Sequence, residues 1–162
     1  MLNATGLYSL AEDTLLALQA AGKTVATVES CTGGLLVTTM TDVPGCSKTV
    51  MGGIITYSNK SKEELADVPA DVLEAHGAVS EEVARAMAVG GRVRMDADVA
   101  VAVTGIAGPS GGSEEKPVGL VHLAVANGSK VLHRRAMLPG GRDEIRAATV
   151  RIALELIQDS LR

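Results

Sequence analysis

Two rhythms of hydrophobic positions alternate along the chain. From Leu10 to Ala21, "LAEDTLLALQAA", apolar residues recur every three to four positions and Gly22 follows as a stop, which predicts a helix. The next run, "KTVATVES", is short and β-branched and predicts a strand. "CTGGLLVTTMTDV" opens on small residues and then turns helical, and "TVMGGIITYS" predicts a second strand. The Gly52-Gly53 pair inside it points to a bulge or a close backbone approach. "NKSKEELADV" is a helix start, and "PADVLEAHG" is a short helix entered at Pro69 and stopped at Gly77. "SEEVARAMAVGGRVRM" is a longer helix with Ser80 as its cap and acidic residues in its first turn. "ADVAVAVTG" is a buried strand. "GLVHLAVANG" and "KVLHRRAML" form a hairpin through Asn127-Gly128. The closing helix, "GRDEIRAATVRIALELIQDSLR", carries Ile145, Thr149, Ile152 and Leu156 on one face.

Strands and helices alternate early and a hairpin comes late. That order predicts a three-layer α/β/α sandwich around a mixed, mostly parallel sheet of about five to six strands. No repeat, linker or low-complexity segment interrupts it, so residues 1–162 read as a single domain.

Composition narrows this further. The chain has no Phe or Trp and only Tyr8 and Tyr57, so the core must be aliphatic and ring stacking on a ligand falls to those tyrosines or a histidine. Net charge is −4 with no basic block, which disfavours a nucleic-acid surface. The opening "MLNATGLYSL" lacks the basic-then-apolar layout of a signal peptide, and no apolar run is long enough to span a membrane. With no secretion signal, Cys31 and Cys46 read as reduced thiols, and a cytoplasmic location is expected.

Four segments can carry chemistry. The first is "ESCTGG", Glu29 to Gly34, where a strand hands over to a helix. Backbone amides there suit a phosphate or an oxyanion, although the same residues also make an ordinary capped helix start. Cys31 within it raises a thiol nucleophile, but no histidine sits in a recognisable pairing motif to make the thiolate. The second is the long loop "TGIAGPSGGSEEKPVG", of which Thr104, Gly105, Ile106, Ala107 and Gly108 lie at a strand end, where α/β sheets place ligands. The third is Arg142 and Arg146, one helical turn apart near a helix start. Both are open to an anion or to solvent. The fourth joins Ser47 with "YSNKSK", Tyr57 to Lys62. A serine needs a base to take its proton, and a lysine qualifies only when desolvation or a nearby cation makes it neutral. Spacing alone leaves both lysines equally readable as a solvated helix start.

In this order, "ESCTGG", "VPGCSKTVMGGIITYSNKSK", "HGAVSEEVARAMA", "VAVTGIAGPSGGSEEKPVGLV" and "PGGRDEIR" resemble the C-terminal domain of the CinA family. That family includes stand-alone nicotinamide-nucleotide amidases. The resemblance runs from about Leu10 to about Leu161. It implies hydrolysis of the carboxamide of nicotinamide mononucleotide (NMN) to nicotinic acid mononucleotide and ammonia, without metal or cofactor, by a Ser–Lys pair. Carried over, the serine is Ser47, in the stretch Gly45-Cys46-Ser47. The lysine is Lys62, which ends "YSN-x-x-K", while Lys60 falls at a variable position. Tyr57 is expected at the pyridinium ring. Glu29, Ser30, Thr32, Gly33, Gly34, Asn59, residues 104–108, Arg142 and Arg146 are expected to line the nucleotide pocket. The expected partner is the small-molecule substrate, with neither nucleic acid nor membrane, and the expected assembly is a homo-oligomer, a dimer before others. The rival expectation is a non-enzymatic pyridine-nucleotide-binding or regulatory module.

Overall fold

A computed structural model describes residues 6–162, so the leader reading of the first ten residues falls partly outside them. The chain runs α1 (Leu7–Ala20), β1 (Val25–Glu29), α2 (Leu35–Thr41), one 3₁₀ turn (Cys46–Lys48), β2 (Val50–Ile55), α3 (Asn59–Ala66), α4 (Ala70–His76), α5 (Glu81–Arg94), β3 (Val99–Gly105), β4 (Leu120–Asn127), β5 (Lys130–Met137) and α6 (Arg142–Ser160). The five strands form one sheet in the order β2-β1-β3-β4-β5. β1 pairs in parallel with β2 and β3, and the hairpin adds the antiparallel pairs β3–β4 and β4–β5. Helices cover both faces, which is the sandwich the patterning predicts.

The two faces are built from different side chains. Val25, Val99, Val101, Val103, Val121, Leu123 and Val125 pack against α1, α2 and α6. On the other face Val28 and the small Ala102, Ala124 and Ala126 pack against α3, α4 and α5. The small residues let α5 settle close to the sheet. A side chain at Gly91 would strike Val28, and one at Gly90 would strike the carbonyl of Ala66. Gly90 thus lets α5 draw the end of α3 tightly against itself.

The Gly52-Gly53 pair does what strand glycines do. The β1–β2 register slips between Val25 and Ala26, where Val50 is followed by Gly52 as the next partner. A Cβ on Gly53 would sit 2.5 Å from Thr27 Oγ1. No helix among the described residues is long and apolar enough to cross a membrane. From β1 the chain leaves through α2 over one face; β3 is reached from the other face through α3, α4 and α5. The crevice at the carboxyl ends of β1 and β3 is therefore a topological switch point, where such sheets bind ligands.

Candidate active site

Ser30 is the first residue after β1. Its amide donates to the carbonyl of Val103 at 3.1 Å, so it still follows the sheet, and its side chain is 8% exposed. Lys62 comes from the second turn of α3. That helix is started by a reciprocal cap: Ser58 Oγ accepts from the amide of Ser61, and the amide of Ser58 donates to Ser61 Oγ, both at 3.1 Å. The cap aims Lys62 inward, where it is 1% exposed. Lys62 Nζ lies 3.1 Å from Ser30 Oγ and donates to the carbonyl of Thr56 at 2.7 Å. The amide of Thr56 donates to the carbonyl of Glu29 at 2.8 Å, so adjacent strand ends join residues 32 apart in sequence.

Burial pushes the Lys62 ammonium from 10.5 down to about 8, and no carboxylate partner offsets that shift. A lysine at that value is partly neutral near physiological pH. When charged it donates to Ser30 Oγ. When neutral it offers its lone pair to the serine proton while an N–H stays on the Thr56 carbonyl. Lys60, two residues away, is exposed and pairs with Glu64 at 3.6 Å across one helical turn. The helix start thus sends one lysine inward and the other to water, as positions about 200° apart require.

Ser30 and Lys62 open into a cavity of about 330 Å³. Cys31, Thr104, Gly105, Ile106, Ala107 and Gly108 line it from the ends of β1 and β3. Tyr57, Asn59 and Arg142 stand around it, and Ala78 and Val79 close it from the α4–α5 connection. Thr104 Oγ1 fixes that connection by donating to the carbonyl of Ala78 at 2.8 Å. Arg142 donates to the carbonyl of Gly108 at 2.9 Å and approaches the Tyr57 hydroxyl at 3.5 Å. Tyr57 is 63% exposed, an aromatic face presented beside a cation.

Several expected residues are placed elsewhere. Ser47 does not meet Lys62. It is exposed, lies in the 3₁₀ turn before β2 and does not line the cavity. β2 then carries the chain across the sheet, six residues or roughly 17 Å, before Tyr57 and Lys62 are reached. The serine beside Lys62 is Ser30, which sequence reasoning had put among the binding residues. Its signal was present in the strand–turn–helix position of "ESCTGG", the kind of sharp turn that exposes a nucleophile. Glu29 is fully buried and faces the start of α2. It accepts from Thr27 Oγ1 and from the amides of Gly34, Leu36 and Val37 at 2.8–3.0 Å, so its carboxylate is consumed as a helix cap. Gly33 and Gly34 supply the left-handed turn, at φ 57° and 99°. Thr32 is buried beneath that turn, and Arg146 donates to its carbonyl at 2.9 Å. Arg142 and Arg146 are therefore split, the first at the cavity and the second under the turn.

The thiol reading weakens. Burial pushes the Cys31 thiol up to about 11, which opposes the thiolate. His122 and His133 stack with ring centroids 5.2 Å apart and share a hydrogen bond of 3.0 Å between Nδ1 and Nε2, His76 lies beside Glu82, and none of the three lines the cavity.

Fold and site together define a doubly wound α/β domain with a buried Ser–Lys pair at its switch point. Comparison with known proteins gives that class a family: the chain matches the CinA C-terminal domain over residues 7–161 and belongs to that family. It is 50% identical over 151 residues to a CinA-like protein of Mycolicibacterium paratuberculosis, covering 90% of this chain and 35% of that one. It is also 50% identical over 141 residues to a putative competence-damage inducible protein of Caldanaerobacter subterraneus subsp. tengcongensis, covering 87% and 34%. The chain thus spans about a third of the length of these curated relatives. Among solved structures, the competence/damage inducible protein CihA from Agrobacterium tumefaciens superposes with a TM-score of 0.92 at 46% identity, covering 96% of this chain and 94% of that one. A competence-damaged protein (CinA) superfamily protein from Escherichia coli gives 0.91 at 31% identity, covering 99% and 92%.

Proposed function

We propose that this domain is an amidohydrolase that converts NMN to nicotinic acid mononucleotide and ammonia. The observation that carries the reading is a lysine 1% exposed, brought down to about 8, with Nζ 3.1 Å from a serine hydroxyl that opens into a cavity. Neutral Lys62 accepts the proton of Ser30 as Oγ attacks the carboxamide carbon. The amides of Cys31 and Thr32, which directly follow Ser30, stabilise the oxyanion, since those of Gly33 to Val37 are tied to the carbonyls of Ser30 and Thr32 and to the Glu29 carboxylate. The tetrahedral intermediate collapses, the C–N bond breaks, and the Lys62 ammonium delivers its proton to departing ammonia. Water then attacks the acyl-serine ester, again with Lys62 as base, and releases the acid and Ser30.

Recognition follows from the cavity wall. The Tyr57 ring meets the cationic pyridinium by a cation–π contact. Arg142 takes the 5′-phosphate by charge-assisted hydrogen bonds, and Asn59 offers an amide at the same mouth. The test is ammonia release from NMN by pure protein with a chelator present, for the natural chain and for Lys62→Arg. The reading expects turnover from the first only, because guanidinium stays protonated and cannot act as base. Binding of NMN without turnover by the natural chain would support a binding module instead.

A further inference from the structure

Arg146 lies one turn along α6 from Arg142 but does not line the cavity. One guanidinium nitrogen donates to the Thr32 carbonyl at 2.9 Å, which also accepts from the amide of Leu35 at 3.0 Å. A side chain on Gly33 would lie 3.7 Å from that same nitrogen, so the guanidinium sits directly against the turn. Nε of Arg146 is buried without a hydrogen-bond partner. Leaving such a donor unpaired is a cost that an apolar side chain of the same length would not incur. The turn is gripped from its other side by the Glu29 carboxylate on the amides of Gly34, Leu36 and Val37. Ser30 and Cys31 are thus held between a buried carboxylate and a guanidinium, and the field of Arg146 reaches the Cys31 thiol beside Ser30.

We propose that Arg146 is a positioning residue for Ser30. Through the Thr32 carbonyl it fixes the turn that points the serine hydroxyl at Lys62 and the amides of Cys31 and Thr32 at the developing oxyanion. Its work is on turnover, whereas Arg142 works on affinity for the phosphate. The inference rests on the amidohydrolase reading.

The experiment compares the natural chain with Arg146→Met, Arg146→Lys and Arg142→Ala, using NMN and nicotinamide riboside. In parallel, the labelling rate of Ser30 by a fluorophosphonate is read by intact mass, which needs no amide turnover. Arg146→Met is expected to lower kcat about tenfold or more on both substrates with KM within about threefold. Its Ser30 labelling slows in step, and Arg146→Lys recovers part of both rates. Arg142→Ala instead raises KM for the nucleotide. Circular dichroism confirms folding, and Arg146→Gln, which keeps a donor without the charge, replaces a Met variant that does not fold. A raised KM for NMN with kcat intact in Arg146→Met overturns the proposal and makes Arg146 a phosphate ligand. Unchanged turnover and labelling overturn it as well. A natural chain that labels at Ser30 but leaves NMN intact defeats the amidase reading alone, and the labelling rates of the variants then decide the role of Arg146. A natural chain that neither labels nor turns over has no activated serine to position, and both readings fail.

Discussion

At the scale of single residues, Lys62 is the feature with the largest energetic consequence. An ammonium held at about 8 against an ordinary 10.5 costs the folded state on the order of 3 kcal/mol at neutral pH. Lys62→Met should therefore abolish turnover and raise stability, by about 1–3 kcal/mol once the lost hydrogen bonds to Ser30 and Thr56 are counted, as a shift of the urea midpoint shows. The pH dependence has a definite sign. Between about 8 and 10.5 the unfolded chain binds the proton that the folded chain has released, so this group makes stability rise with pH across that window, and the Met variant should lack that rise. Turnover should climb through a limb near pH 8 as Lys62 becomes neutral. The choice of Lys62 over Lys60 came from the resemblance, in which Lys62 ends "YSN-x-x-K"; helix geometry says only that two positions about 200° apart cannot both face one pocket. The choice of serine was not legible. Of the two, Ser47 is the serine nearer to Lys62 in sequence and Ser30 lies 32 residues away, and only the parallel direction of β2 beside β1 shows that Ser47 is left at the far end.

At the scale of elements, the contact between α3 and α5 sets the Ser30–Lys62 distance. Gly90 sits inside α5, where alanine would ordinarily gain about 1 kcal/mol of helix propensity. Here the added methyl meets the Ala66 carbonyl at the end of α3, the helix that carries Lys62. Gly90→Ala should lower stability by about 1–3 kcal/mol and reduce kcat, by moving Lys62 away from Ser30. Thermal unfolding and steady-state ammonia release check both effects. A gain in stability would mean the helices separate freely. The patterning located these helices and strands, and it marked Gly52-Gly53 as a bulge or a close backbone approach because glycines stand out in a strand. Gly90 and Gly91 left no comparable mark, since a close approach between helices is set by the partner's position. The role of Glu29 was hidden for the same reason: an acid before Ser-Cys-Thr-Gly-Gly reads as a pocket residue until the amides of α2 are seen folded back onto it.

At the scale of the whole molecule, acid stability turns on the stacked His122–His133 pair, which does not line the cavity. Burial, first of all, holds both imidazoles below the usual 6.5. His133, Arg135 and Lys116 push His122 down further and Arg85 does so for His133, while Glu81 opposes this for both and Glu82 for His133. The folded chain then binds fewer protons than the unfolded one, so stability falls as pH drops below about 6.5 and levels off beneath the folded-state values. A His122→Gln/His133→Gln protein should lose less stability than the natural chain between about pH 7.5 and 5, measured by urea unfolding. The sandwich itself was readable from alternating helical and strand periods, but its strand order, and with it the β1/β3 crevice, came only from three-dimensional pairing.

The central claim is that Ser30, paired with Lys62, opens the carboxamide of NMN. Its most direct test is ammonia release measured side by side for the natural chain, Ser30→Ala and Ser47→Ala, each confirmed folded. The account predicts a loss of about a thousandfold or more for Ser30→Ala and turnover within about twofold of the natural chain for Ser47→Ala. An active Ser30→Ala protein beside an inactive Ser47→Ala protein would contradict it.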